Sequence, residues 1–289
     1  MPVRMRVRRG VFLAVVPALA IAVSAAPQQT IQPAPIPHDS GQGVTPAFEG
    51  WYRNADGTFT LSFGYFNRNY REALDIPVGP NNRFEPAPPD QGQPTHFLPR
   101  RQTGIFTVVV PKDFGTQKLT WTIVAHGQSN SVPGHLRAEW EIDALKESTS
   151  GNTPPVIKFD ANGKPGQGPG GISATSTATQ GQPATLAVWA TDDNVRKREN
   201  EGRPGPAFGL VWSKFRGPGA VAFSSAEPKV QDGKATTAVT FDSPGEYVLR
   251  VLAWDASGSQ GTIMAGGFQC CWTNGYVRMN VRAGEPPRR

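Results

Sequence analysis

Residues 238–258 read AVTFDSPGEYVLRVLAWDASG, and this stretch decides the fold class. A short strand runs into Ser243-Pro244-Gly245. A longer strand follows, and Asp255-Ala256-Ser257-Gly258 turns the chain again. Pro presets one turn dihedral and Gly accepts a positive one, so the two mark the break between β-branched and aromatic runs. The pattern predicts the back end of an antiparallel β-sandwich. Tyr247, at the start of the longer strand, is placed to turn its hydroxyl back onto the chain crossing between sheets, which is a structural role.

Working outward, further runs complete a seven-strand count. They are 152–157, 185–191 with Leu186, Val188 and Ala190 inward, 208–215 with Trp212 in the core, 221–224, 235–241, 247–254 and 275–282. Residues 161–171 are Gly/Pro-rich and read as an irregular edge excursion. Four segments resemble a PKD-type repeat, one of the immunoglobulin-like sandwiches of extracellular proteins. These are Asn152-Thr153-Pro154-Pro155-Val156-Ile157, the 181–194 stretch GQPATLAVWATDDN, residues 210–224 with their Trp and Gly-Pro-Gly, and residues 238–258. The resemblance covers 152 to about 281 and implies a binding or spacing module.

The first half resembles no nameable family but also reads as strands. Residues 58–66 alternate after an Asn54-Ala55-Asp56-Gly57 turn, 104–111 are β-branched, and 118–125 put Leu119, Trp121 and Ile123 on one face. Residues 135–144 are expected to put Leu136, Ala138, Trp140 and Ile142 inward. The Pro-rich stretch 77–99 is long for a loop in a compact domain and holds either a hidden edge strand or a functional loop. The prediction is therefore all-β: two β-sandwich domains in tandem, the second immunoglobulin/PKD-like. The expected divisions are a signal peptide (1–25), a flexible leader (26–46), a first sandwich (47–146), a linker (147–151), the second sandwich (152–283) and a tail (284–289).

Arg4, Arg6, Arg8 and Arg9, an apolar run over 11–23 and small residues at 23–25 are the marks of an export signal. The run is too short for a membrane span, so none is expected after signal removal. The whole chain carries 29 basic and 23 acidic residues, a net of +6. Four of those Arg lie in the signal, which has no acids, so the remainder is near neutral and a nucleic-acid partner is not expected. The 32 Gly and 28 Pro suit short strands joined by turns. The expected location is periplasmic or extracellular, and the expected partner a protein or polysaccharide of the cell envelope.

Strong catalytic signatures are absent from the sequence: no nucleophile elbow, no phosphate loop, no paired-His metalloprotease helix. No catalytic residue is assigned. The second and sixth strands of such a sandwich end at one pole, where the seventh begins. That places Asp192, Asp193 and Asn194 near Asp255, Ser257 and Trp272 as a candidate ligand site. Oxygen-rich turns suit Ca²⁺, with Asp192, Asp193 and Asp255 as candidate ligands; the simpler reading is turn hydrogen bonding. No other cofactor is expected. Cys270 and Cys271 are the only cysteines. In an oxidising compartment they form a vicinal disulfide, stay as separate thiols, or bridge to another chain. The rival to a binding protein is an envelope hydrolase using Glu139, Glu141 or Asp143, with 77–99 as its lid.

Overall fold

The computed structural model of the chain describes residues 37–148, 151–195, 208–255 and 270–284. The expected signal peptide, residues 26–36 of the leader, the charged segment 196–207 and Ser257 lie outside the described residues. The described residues are all-β apart from one short 3-10 turn, and no helix among them is long and apolar enough to cross a membrane.

The first half opens with β1 (Val44–Arg53), which begins inside the stretch expected to be leader. Val44 is fully buried, so the strand starts where the first apolar side chain has a core to enter. β1 pairs antiparallel with β2 (Phe59–Asn67), and β2 with β6 (Arg100–Val110), making one sheet. Between them lie the short β3 (Leu74–Asp75), β4 (Asn82–Glu85) and β5 (His96–Phe97). β4 joins β7 (Leu119–Ala125) and β8 (Gln128–Gly134) in a second three-stranded sheet. The two sheets close on an aromatic core in which Phe63 stacks on Phe106 and meets Trp121 edge-on.

Residues 135–144 do not form the expected strand. Pro133 and Gly134 end β8, and the chain makes a 3-10 turn at Ala138–Trp140. The Trp51 indole N–H donates to the Arg137 carbonyl, and the Ile142 N–H to the Trp51 carbonyl, which draws the segment across the edge of β1. Ile142 is buried as expected, but Trp140 is 41 % exposed, its ring stacked on Phe48.

In the second half, β9 (Val156–Lys158), β10 (Gly166–Gln167), β12 (Ala184–Thr191), β14 (Val221–Phe223) and β15 (Lys234–Phe241) form a sheet of order β10-β9-β12-β15-β14. β11 (Ile172–Thr179), β13 (Phe208–Arg216), β16 (Gly245–Asp255) and β17 (Trp272–Arg282) form the facing sheet, β11-β17-β16-β13. β11 runs parallel to β17, and the other pairs are antiparallel. With the short β10 and the edge strand β11 set aside, β9-β12-β15-β14 in one sheet and β17-β16-β13 in the other is the immunoglobulin-like arrangement. Tyr247 is fully buried, and its hydroxyl donates to the Ser243 carbonyl at 2.8 Å, closing the corner.

Each half has its own hydrophobic core, yet residues from 37 onward make one compact unit. Phe215, Val248 and Tyr276 of the second half pack into the first core. The 77–99 stretch does hold an edge strand, β4 beside β7, as well as β5, which pairs with β3; its 90–95 segment docks on β13. The Thr95 N–H donates to the Phe215 carbonyl, and Arg216 donates twice to Asp90 and once to the Gln93 carbonyl. The loop is a strap between the sandwiches.

Candidate functional site

The pole of the second sandwich is built where β12, β16 and β17 meet. The structure brings Asp192, Asp193, Asn194, Asp255, Cys270 and Cys271 to this end. Asp192 Oδ2 accepts from the Asn194 N–H at 2.9 Å, and Asp193 Oδ1 from the Val195 N–H at 3.0 Å. Asp193 Oδ2 also accepts from the Thr153 N–H and hydroxyl at 2.9 and 2.8 Å, which staples the start of the sandwich to the acidic turn. Asn194 takes a positive φ of 59°, a conformation Asn tolerates better than most residues. Burial pushes the Asp192 carboxyl up to about 6, with help from the charges of Asp255 and Asp193 and against the Asn194 N–H.

Asp255 is 1 % exposed and accepts from Asn152 Nδ2 at 2.7 Å. Cys270 and Cys271 form a disulfide, with Cα atoms 3.1 Å apart across a cis peptide bond, and both are buried. Cys271 Sγ lies 3.5 Å from the Asn152 carbonyl oxygen. Asn152 thus spans the disulfide and the buried carboxylate. Among the described residues, no group of three His, Cys, Asp or Glu is arranged to hold a metal ion.

Trp272 does not present a surface at this pole. It is 1 % exposed, and its indole N–H donates to the Gly104 carbonyl of β6 at 3.1 Å. The reason is a close approach between the halves: Gly104 has φ +56°, and a methyl group there would land inside the indole ring. Only glycine leaves the room and the backbone conformation together.

Trp272 belongs to a junction that reading strands one at a time misses. Glu49 on β1 is held by Arg101, 2.7 Å away, and by the Gly104 N–H. Arg250 on β16 is buried and donates to Asn274 Oδ1 at 2.9 Å. Asn274 Nδ2 donates to the Gly104 and Pro169 carbonyls, and the Tyr276 hydroxyl to the Ile105 carbonyl. Burial pushes Glu49 up to about 7, although Arg101, the Gly104 N–H and Arg250 all pull it down. Burial also raises Tyr276 and lowers Arg250. Alternation turns Arg250, between inward Leu249 and Val251, to the outer face and so reads it as solvated; the first half covers that face.

The carboxylates of the hydrolase reading are elsewhere. Glu139, Glu141 and Asp143 are exposed around the 3-10 turn, and Glu141 pairs with Arg53 at 3.1 Å.

No family model matches the chain, and no curated protein sequence matches it. Solved structures similar to it include domains 4 and 5 of the S-layer protein SbsC, at 14% identity over 56% of this chain and 64% of that one, TM-score 0.24. A domain of intimin has 12% identity over 82% of this chain and 98% of its own, TM-score 0.26. The sialic acid binding region of a Streptococcus sanguinis adhesin has 9% identity over 84% and 78%, TM-score 0.24. The chain spans less than two thirds of the first of these.

Proposed function

We propose that the chain is an exported, non-catalytic protein of the cell envelope, periplasmic or extracellular. In this reading it binds an envelope protein or glycan, or sets the spacing of other parts, through the loops of two joined sandwiches. The second sandwich is read as a PKD-type repeat. The observation that carries the reading is the junction. Trp272, Asn274 and Tyr276 of the second half donate to the Gly104 and Ile105 carbonyls of the first, and buried Arg250 donates to Asn274 behind them, so the polar groups removed from water serve rigidity. A fixed two-part body suits presentation or spacing of loops.

The hydrolase reading draws less support. General acid work needs a carboxyl whose environment raises its pKa, and Glu139, Glu141 and Asp143 lie in solvent. The test is a pull-down from native envelope with the signal-free chain, run beside a panel of glycosidase and esterase substrates. Capture of a discrete partner without turnover supports the proposal. Turnover abolished by Glu139→Gln or Glu141→Gln overturns it. Calcium at Asp192, Asp193 and Asp255 remains a separate proposal. A rise in melting temperature at millimolar calcium supports it, and an unchanged melting temperature removes it.

A further inference from the structure

The first half covers only part of the outer face of the β11-β17-β16-β13 sheet. Leu252, Asn274, Arg250 and Trp272 lie under it. One register row further along, Thr175, Arg278, Val248 and Arg216 stand side by side across the four strands; the first half reaches Arg216 and Val248 and leaves Arg278 and Thr175 exposed. A cavity of about 250 Å³ opens between this row and the wall formed by Gly92, Phe106 and Thr107. A second cavity, of about 280 Å³, continues it toward β11 and shares Ser173, Val248, Tyr276 and Arg278 with it. Together they form one groove across the strands.

The polar groups of this groove divide into two sets. Arg216 is committed, with two hydrogen bonds to Asp90 at 3.0 and 2.7 Å and a third to the Gln93 carbonyl. Arg278 is exposed and makes no ion pair or hydrogen bond among the described residues. The hydroxyls of Thr107, Ser173 and Thr175 also have no partner among them. Asp90 puts one negative charge against two guanidiniums, leaving the groove a net positive charge; Glu246 lies a further row out, opposite Asn280. A guanidinium offers a planar fork of donors matched to a carboxylate.

We propose that this groove binds a carboxylate-bearing saccharide, with Arg278 taking the carboxylate and Thr107, Ser173 and Thr175 bonding the sugar hydroxyls. The orientation of the groove favours a sugar over an acidic peptide. An extended peptide gains its affinity from backbone hydrogen bonds along a free strand edge. This groove runs across β17 and β16, inner strands whose backbone groups are paired on both sides, and meets the free edge of β11 only at its end, so recognition along it falls to side chains. The proposal rests on the binding role put forward above and narrows it to one ligand class.

The test is isothermal titration of the signal-free chain with a galacturonate trimer, the matching neutral galactose trimer, the galacturonate monomer and a tri-glutamate peptide. The acidic trimer is expected to bind at least about tenfold tighter than the neutral one, and Arg278→Gln to cost about tenfold or more, the scale of one charge-assisted hydrogen-bonded contact. Binding should weaken as salt rises. Monomer binding equal to the trimer supports the site and assigns it to a free sugar acid. Arg278 is exposed, so circular dichroism and melting of the variant should match the parent. Equal binding by Arg278→Gln, equal binding of the neutral trimer, tighter binding of the peptide, or no binding at about 10 mM each overturns the assignment. If Arg278→Gln still captures the envelope partner, the groove fails while the binding role stands.

Discussion

Replacing Gly104 by Ala probes the junction at its tightest point. Two costs add. Gly104 has φ +56°, and a residue with a Cβ loses about 1–2 kcal/mol in that region. The new methyl would also collide with the Trp272 ring, and overpacking of this kind costs about 1–3 kcal/mol. The expected loss is therefore about 2–5 kcal/mol, a large share of a typical domain's stability. Trp272→Ala by itself should cost about 3–5 kcal/mol through the cavity it leaves. It should not strand the Gly104 carbonyl, which still accepts from Asn274 Nδ2 at 2.8 Å. In the double variant the collision has no partner and only the φ cost survives. The two losses should then fall short of additivity by the collision term, about 1–3 kcal/mol. Equilibrium urea unfolding measures all four proteins, with shifts in midpoint at constant slope reporting stability. A Gly104→Ala loss below about 0.5 kcal/mol, or additive losses in the double variant, would refute the close approach.

Tyr247→Phe removes the hydrogen bond to Ser243 and should cost about 1 kcal/mol in the same assay, leaving saccharide binding unchanged. Glu49 has its folded pKa raised from 4.5 to about 7, so the folded state holds the proton more tightly than the unfolded chain. Its contribution must therefore fall as pH rises from about 4.5 to about 7. The stability difference between parent and Glu49→Gln should drift in that direction, by up to about 3 kcal/mol, and a flat difference removes the assignment. Asp90→Asn should cost about 0.5–1 kcal/mol, since the pair is partly exposed, and should speed tryptic cleavage at Arg83; an unchanged cleavage rate argues against the strap. Iodoacetamide should add no mass to the native or the denatured chain until a reductant opens the Cys270–Cys271 bond.

The second sandwich could be read strand by strand because its core residues keep strict alternation. Leu186, Val188 and Ala190 on β12, and Tyr247, Leu249 and Val251 on β16, all face inward without interruption. β1 does not show in the sequence because Pro46 and Gly50 sit inside it and the register shifts between Phe48 and Gly50, which breaks the period. β11 does not show either, because ISATSTAT lies at a sheet edge and needs only Ile172 and Ala178 for packing. Residues 135–144 showed a true alternation that the structure does not use, since Pro133 and Gly134 had already ended the pairing. At the pole, the acidic turn and the cysteine pair followed from sandwich topology alone. The junction did not, because Glu49 and Arg250 lie two hundred residues apart and nothing in either strand reveals the other.

The parallel ladder between β11 and β17 runs through eight uninterrupted pairs, from Ile172 opposite Gly275 to Thr179 opposite Arg282. Because the strands are parallel, pulling β11 by its start and β17 by its end loads the ladder lengthwise. Its hydrogen bonds then share the load in shear, where a hairpin pulled from its open end would give them up one at a time. Under tension along the chain, the second sandwich should resist extension with a single high-force rupture rather than a gradual unzipping.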